Sequence, residues 1–260
     1  MKCVIVAAGS STRLRPLTDA LPKCLLSIGG KTILQRAIEN LLDAHITKIA
    51  VVVGFQAQKI QTFLKRQYPQ MKIQCILNPN YTSTNNAYSL LLARDFFLNQ
   101  ESRTKVNDHL LMLDSDIVFH PGLLDLLKSN KDENALAVRV EGIHDGEEVR
   151  ASIDRSGNIS RIGKNVALDQ AFGESIGIER FSHESSAMLF EILEQQVKQG
   201  SGRTGFYEAA FQEMIDKGTK IKAVDVGKLP AIEIDSKDDY ELAERVIVPS
   251  IDESLNVRVQ

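Results

Sequence analysis

The order of apolar runs predicts an α/β protein, an open mixed sheet with helices on both faces. Strand-length apolar runs alternate with helix-period segments through the first 130 residues. These runs lack polar alternation, as expected of strands buried on both sides in a parallel sheet. Past residue 130 the segments shorten and are separated by turns, which predicts a small inserted β-rich region.

The first run, residues 2–8, has strand length and stops at Gly9-Ser10-Ser11-Thr12. Residues 32–44 set Ile33, Leu34, Ala37, Ile38, Leu41 and Leu42 at helical spacing behind a Thr32 cap. Further strands are expected over 49–53, 72–77 and 109–113, with helices over 57–68 and 86–98 between them. Pro121 opens a short helix at a position where a missing N–H costs nothing. Later strands are expected over 134–140, 151–153, 159–162 and 171–179. His144-Asp145-Gly146 and Arg155-Ser156-Gly157-Asn158 supply the turns, the second as a hairpin. Helices over 182–199 and 205–217, a strand over 220–225 and a helix over 237–246 finish the pattern. No Pro- or Gly-rich linker divides the chain, so residues 1–248 read as one domain, with 249–260 as a surface tail.

Composition narrows the function classes. Thirty-one basic residues against 34 acidic ones give a formal net charge of -3, without the basic excess of a nucleic-acid binder. The longest apolar runs fall far short of the roughly 20 residues that cross a bilayer, so no membrane partner is expected. The first run leads into a polar glycine loop and does not read as a signal peptide. Cys3, Cys24 and Cys75 are odd in number and widely spaced, which fits a reduced cytoplasm. The five histidines show no paired spacing, so zinc is not expected.

The strongest local signal is Ala7-Ala8-Gly9-Ser10-Ser11-Thr12-Arg13-Leu14-Arg15-Pro16, continuing to Pro22-Lys23. A small-residue loop leaving a buried strand brings backbone N–H groups close to phosphate oxygens. Arg13 adds a forked donor and Lys23 a compact charge. Neither the order of a P-loop nor that of a dinucleotide fingerprint is present. The bland alternative is a tight turn at Gly9 beside solvated basic groups.

Two acidic positions stand out. Asp114 and Asp116 follow an apolar strand, at the edge where α/β proteins bind ligands. Two apart in extended chain, both can reach one cation, unless the turn redirects one or Asp116 is an ordinary loop carboxylate. Ala231-Ile232-Glu233-Ile234-Asp235 alternates up to a helix start, where Asp235 or Ser236 can serve as the cap.

The stretch from Ala7 to Leu34 resembles the opening signature of the nucleoside-diphosphate-sugar pyrophosphorylase superfamily of nucleotidyltransferases. The resemblance implies a Rossmann-like nucleotidyltransferase fold, with residues 1–130 as the nucleotide-binding half. Residues 131–235 would complete the sheet and bind the acceptor. It further implies that Ala7, Ala8, Gly9, Ser10, Ser11 and Thr12 wrap the nucleotide, and that Arg13 and Lys23 neutralise charge at the reacting phosphoryl group. Asp116 and Asp235 match the family's metal-binding aspartates and would hold Mg²⁺. Asp114 and Glu233 are candidates for outer or acceptor-orienting roles. Ser10-Ser11 replaces glycine found in many relatives, which predicts a less mobile loop with hydroxyls near phosphate.

The segment Asn78-Pro79-Asn80-Tyr81-Thr82-Ser83-Thr84-Asn85-Asn86-Ala87-Tyr88-Ser89-Leu90 resembles the branch acting on phosphocholine, phosphonates and inositol phosphate with CTP. On this basis Asn80, Thr84 and Asn85 are expected at the nucleotide, and Asn86, Glu174, Tyr207 and Glu208 at the acceptor. Glu174 or Glu208 can pair with a primary amine, or else sit on solvated surface. The chain has no tryptophan, the best wall of a choline cage, which ranks phosphocholine below other small acceptors. The expected reaction joins CMP from CTP to a small phosphate or phosphonate and releases pyrophosphate. A uridylyl- or thymidylyltransferase acting on sugar-1-phosphates and a silent nucleotide-binding domain remain the alternatives. A homodimer is left open.

Overall fold

The computed structural model describes residues 1–98, 108–141 and 148–258, so the expected turn at His144-Asp145-Gly146 lies outside the described residues. The first half runs β1 (Lys2–Ala7), β2 (Ser27–Ile28), β3 (Lys31–Thr32), α1 (Ile33–Asp43), β4 (Lys48–Val53), α2 (Ala57–Gln67) and β5 (Gln74–Leu77). It continues with α3 (Asn86–Leu92), α4 (Arg94–Leu98), β6 (Leu110–Asp114), β7 (Ile117–Phe119) and α5 (Gly122–Ser129). The second half comprises β8 (Ala135–Arg139), β9 (Arg150–Ile153), β10 (Ile159–Gly163), β11 (Gly173–Phe181) and α6 (His183–Lys198). After these come α7 (Ser201–Thr204), α8 (Glu208–Asp216), β12 (Lys222–Asp225), β13 (Ala231–Glu233), α9 (Lys237–Leu242) and α10 (Val248–Arg258).

The main sheet follows the order β10-β9-β11-β6-β1-β4-β5, with β8 pairing β11 and β12. Strands β6, β1, β4 and β5 are parallel, whereas β11 runs antiparallel to β6, β8 and β9. The sheet is therefore mixed, as the sequence predicts. Parallel β1 explains its own unbroken apolar run. Cys3, Ile5 and Ala7 pack with α1 and α2 on one face, while Val4 and Ala8 pack with α3, α6 and α8 on the other. From β1 the chain moves outward through β4 and β5, then returns to β6 on the other side. That reversal opens a crevice at the carboxyl ends of β1 and β6.

Three local departures have physical reasons. The helix expected over 86–98 breaks at Ala93, whose N–H turns to the Leu90 carbonyl at 2.9 Å. Residues 205–207 precede α8 and are not helical. The segment read as a surface tail is instead helical over Val248–Arg258, after a wide turn at Ala243–Ile247. Pro249 lies just after that π turn in a helical run that continues from α9, and Val248 and Ile251 are buried against Leu14, Leu26 and Ile28. This satellite core also holds the hairpin of β2 and β3. Its two-residue turn is Gly29-Gly30, both with positive φ (59° and 77°), as a tight twisted hairpin requires. Among the described residues, no helix is long and apolar enough to cross a membrane.

Candidate active site

A cleft of about 680 Å³ lies over the carboxyl edge of the sheet. Of the sequence-predicted residues, Ala7 through Arg13, Lys23, Thr84, Asn85, Asn86, Asp116, Glu174, Glu208 and Asp235 line it. Asp114 and Glu233 line it too. Asn80 and Tyr207 do not. Asn80 donates its side-chain amide to Tyr88 Oη at 3.3 Å and lies within the loop, while Tyr207 is buried beneath the wall.

The glycine loop leaves β1 at Ala8. Ser11 adopts a left-handed backbone (φ 54°), and its carbonyl accepts from Thr18 Oγ1 at 2.6 Å. Gly9 needs no such conformation, and a Cβ placed on it would have nothing within 4 Å. The fold itself does not demand glycine there; its effect is to leave the backbone open toward the cleft. Gly54 is different, since a Cβ would lie 2.5 Å from the Ala8 carbonyl oxygen and 2.6 Å from Tyr81 Cβ.

Lys23 stands at the start of a short turn anchored by buried Cys24 and Leu25. Its Nζ donates to Asp116 Oδ2 at 2.8 Å and to Asp235 Oδ1 at 2.5 Å, while Arg13 meets Asp235 Oδ2 at 2.9 Å. Asp235 has this freedom because the start of α9 is capped by others. Ser236 Oγ accepts from the Asp239 N–H, and Asp239 returns the bond to Ser236, a capping box. Burial pulls the Lys23 ammonium down, but the two carboxylates outweigh it and hold Lys23 above its ordinary range. Burial likewise opposes ionisation of Asp235, and Lys23 and Arg13 overcome it, leaving Asp235 below its ordinary range.

The expectation that Asp114 and Asp116 share one direction fails at the turn after β6. Asp114 instead accepts from Tyr207 Oη at 2.7 Å. Burial, then Asp116 and Glu208, push its carboxyl well above the usual range. Glu179 and Glu233 are driven up in the same way, by burial first and by neighbouring acids next. Glu208, buried at the start of α8, is pushed up by burial to about 7. The pairing register of β11 with β8 shifts between Ser175 and Glu179. Gly177 sits in that shift with φ 68°, where a Cβ would lie 2.7 Å from Asp114 Oδ2.

Around the Asn-rich segment, buried Asn78 donates its side-chain amide to Thr84 Oγ1 and Ser89 Oγ, at 3.1 and 3.0 Å. Asn85 caps α3, as the plain loop reading allows, yet still lines the cleft. Asn86 accepts from the Tyr207 N–H at 2.9 Å and so fixes the entry to α8. Sequence reasoning missed Glu179, Arg139 and Lys164. A glutamate inside the apolar run Ile176-Gly177-Ile178-Glu179 was the available signal for the first; the other two carry none.

The carboxylates of Asp116 and Asp235 converge on one Lys23 nitrogen, so together they can face one small cation. Among the described residues no third His, Cys, Asp or Glu completes a protein cage. Two carboxylates suit Mg²⁺, which keeps water and takes substrate phosphates as its other ligands.

The chain is similar to the CTP:phosphoglutamine cytidylyltransferase of Campylobacter jejuni, 28% identical over 87% of this chain and 92% of the relative. It is similar also to a 2-aminoethylphosphonate cytidylyltransferase of Lancefieldella rimae, 27% identical over 79% of this chain and 76% of the relative. The solved CTP:phosphocholine cytidylyltransferase of Streptococcus pneumoniae shares the fold, with a TM-score of 0.76 at 21% identity over 94% of this chain and 98% of that one. The nucleotidyl transferase family model matches residues 2–149, more than half of the chain and including the glycine loop, Lys23 and Asp116, and the chain belongs to that family.

Proposed function

We propose that this protein transfers CMP from CTP to a small phosphorylated or phosphonate acceptor, giving a CDP-linked product and pyrophosphate. One observation carries the reading: Lys23, Arg13, Asp116 and Asp235 form a single ion-paired group beside an open glycine loop. The choice of CTP is supported by two relatives that match along most of their own length and are both named as cytidylyltransferases.

The loop from Ala8 to Thr12 receives the nucleotide, with the bare Gly9 backbone allowing close approach of phosphate. The acceptor oxygen attacks the α-phosphorus, the bond to the bridging oxygen breaks, and pyrophosphate leaves with that electron pair. The attacking phosphate or phosphonate is already anionic at pH 7, so no side chain needs to remove a proton. Lys23 and Arg13 counter the charge that gathers on the phosphoryl oxygens. Asp116 and Asp235 would hold Mg²⁺, which when bound supplies Lewis-acid neutralisation of the phosphates. Thr84, Asn85 and Ser89 offer polar edges on the nucleotide wall, and Asn86 orients the acceptor wall through Tyr207.

A pyrophosphate-release assay with Mg²⁺ tests this by crossing CTP, UTP, dTTP, ATP and GTP with small phosphates, phosphonates and glucose-1-phosphate. Turnover is expected with CTP and a small acceptor. Preference for UTP or dTTP with the sugar phosphate would replace the reading with sugar activation. Nucleotide binding without pyrophosphate from any pair would identify a silent binding domain.

A further inference from the structure

The two carboxylates suited to a divalent cation are held by cations of the protein itself. Lys23 Nζ stands 2.8 Å from Asp116 Oδ2 and 2.5 Å from Asp235 Oδ1, and Arg13 meets the other oxygen of Asp235 at 2.9 Å. Three of the four carboxylate oxygens are thus engaged, and two positive charges balance two negative ones. The basic groups differ in setting. The Lys23 side chain is 12% exposed, whereas that of Arg13 is 59% exposed, where water screens its pair.

A divalent ion takes carboxylate oxygens at about 2.1 Å, so on the same two oxygens it would stand within about 5 Å of the Lys23 ammonium. Like charges that close repel strongly in a half-buried cleft. Both cannot keep Asp116 and Asp235. The Lys23 backbone is fixed, since its carbonyl accepts from the Leu26 N–H at 2.9 Å and Cys24 and Leu25 are buried beside it. Its four-carbon side chain can nevertheless carry the ammonium elsewhere. A buried cation gives up two carboxylates only for other oxygens. A bare metal ion brings none. A triphosphate does, and Ala8, Gly9 and Ser10 line the same cleft as Lys23.

We propose that Lys23 competes with the divalent cation for Asp116 and Asp235, and that nucleotide phosphate relieves the competition by taking the ammonium. Lys23 thereby makes metal binding conditional on nucleotide. This rests on the placement of Mg²⁺ in the function proposed above.

The test titrates Mn²⁺ into the protein without nucleotide and follows the resonance of the free ion. Lys23→Gln, which keeps hydrogen-bond donors for the carboxylates, should bind Mn²⁺ roughly tenfold tighter than the native protein. Lys23→Met provides a second uncharged side chain. Arg13→Met removes the same unit charge from the more exposed pair and should gain about threefold or less. With α,β-methylene-CTP at saturation, the advantage of Lys23→Gln over the native protein should disappear. Equal Mn²⁺ affinity in native, Lys23→Gln and Lys23→Met proteins overturns the competition, as does an equal gain in Arg13→Met. An advantage that persists with the nucleotide analogue overturns the relief by phosphate. A gain that survives in Lys23→Gln/Asp235→Asn places the ion elsewhere and defeats the metal placement as well. None of these readouts needs turnover, so a failure of pyrophosphate release removes the transfer reading and leaves a measured competition standing.

Discussion

The two ends of the cleft handle charge in opposite ways. At the glycine-loop end, Lys23 and Arg13 are paired with Asp116 and Asp235, so every one of these groups has an opposite charge within 2.9 Å. At the other end Asp114, Glu179 and Glu208 crowd together, and the oxygens Glu179 Oε2 and Glu208 Oε2 find no donor. Paired charges must exchange partners when a charged ligand arrives. Unpaired buried carboxyls favour the neutral form until a cation comes. Under the proposed transfer, the first end exchanges its ion pairs for contacts with the nucleotide phosphates, while the second keeps its carboxyls out of water.

The largest expected effect sits on the paired end. Lys23→Ala removes the one ammonium shared by both carboxylates, and kcat should fall by about 10²- to 10³-fold, more than nucleotide affinity falls. Near-normal turnover in this variant would break the contrast outright.

The pH dependence of stability should have opposite signs at the two ends. Glu208 has a folded value of about 7 against an ordinary 4.5, so the folded state binds its proton more tightly. Its contribution is fully present below about pH 4.5 and is lost as pH rises through about 7, on the order of 3 kcal/mol in the ligand-free protein. Glu208→Gln should flatten that decline in denaturant melts. For Asp235, held below its ordinary range, the contribution is present above that range and lost as pH falls through its lowered value. A melt series with no Glu208-dependent slope between pH 5 and 7 would remove the asymmetry.

Tyr207→Phe deletes the hydroxyl that satisfies Asp114 and should cost about 1–3 kcal/mol, read as a lowered denaturation midpoint. Gly9→Ala is a finer probe of the anion end. With nothing within 4 Å of the added Cβ, the melting temperature should not move, while the KM for CTP rises about tenfold if phosphate approaches the bare backbone. The smallest effect is expected for Arg13→Ala on stability. Its pair with Asp235 is solvent-exposed on the arginine side and contributes about 0–1 kcal/mol.

The alternation of unbroken apolar runs and helical periods sufficed for the sheet, because a parallel strand buried on two faces leaves no polar positions. The loop and the two aspartates were legible from residue type and place, since Gly9, Arg13 and Lys23 lie close in sequence. What escaped was anything that depends on distant chain. Residues 249–260 looked like a surface tail, but α10 is held by Val248 and Ile251 packing on residues more than 200 positions earlier. Asp114 and Asp116 looked like a pair, and the turn sent one to Tyr207 and the other to Lys23.

The sequence by itself determined the fold class, the phosphate-suited loop and the chemical types at its rim, because each is a local pattern. Only the tertiary structure decided which charges meet. Lys23 reaches Asp235 across 212 positions, and Glu208 comes to the cleft through Asn86's hold on Tyr207. Whether a carboxylate is paired or left wanting depends on who is nearby in space, and that is set by packing.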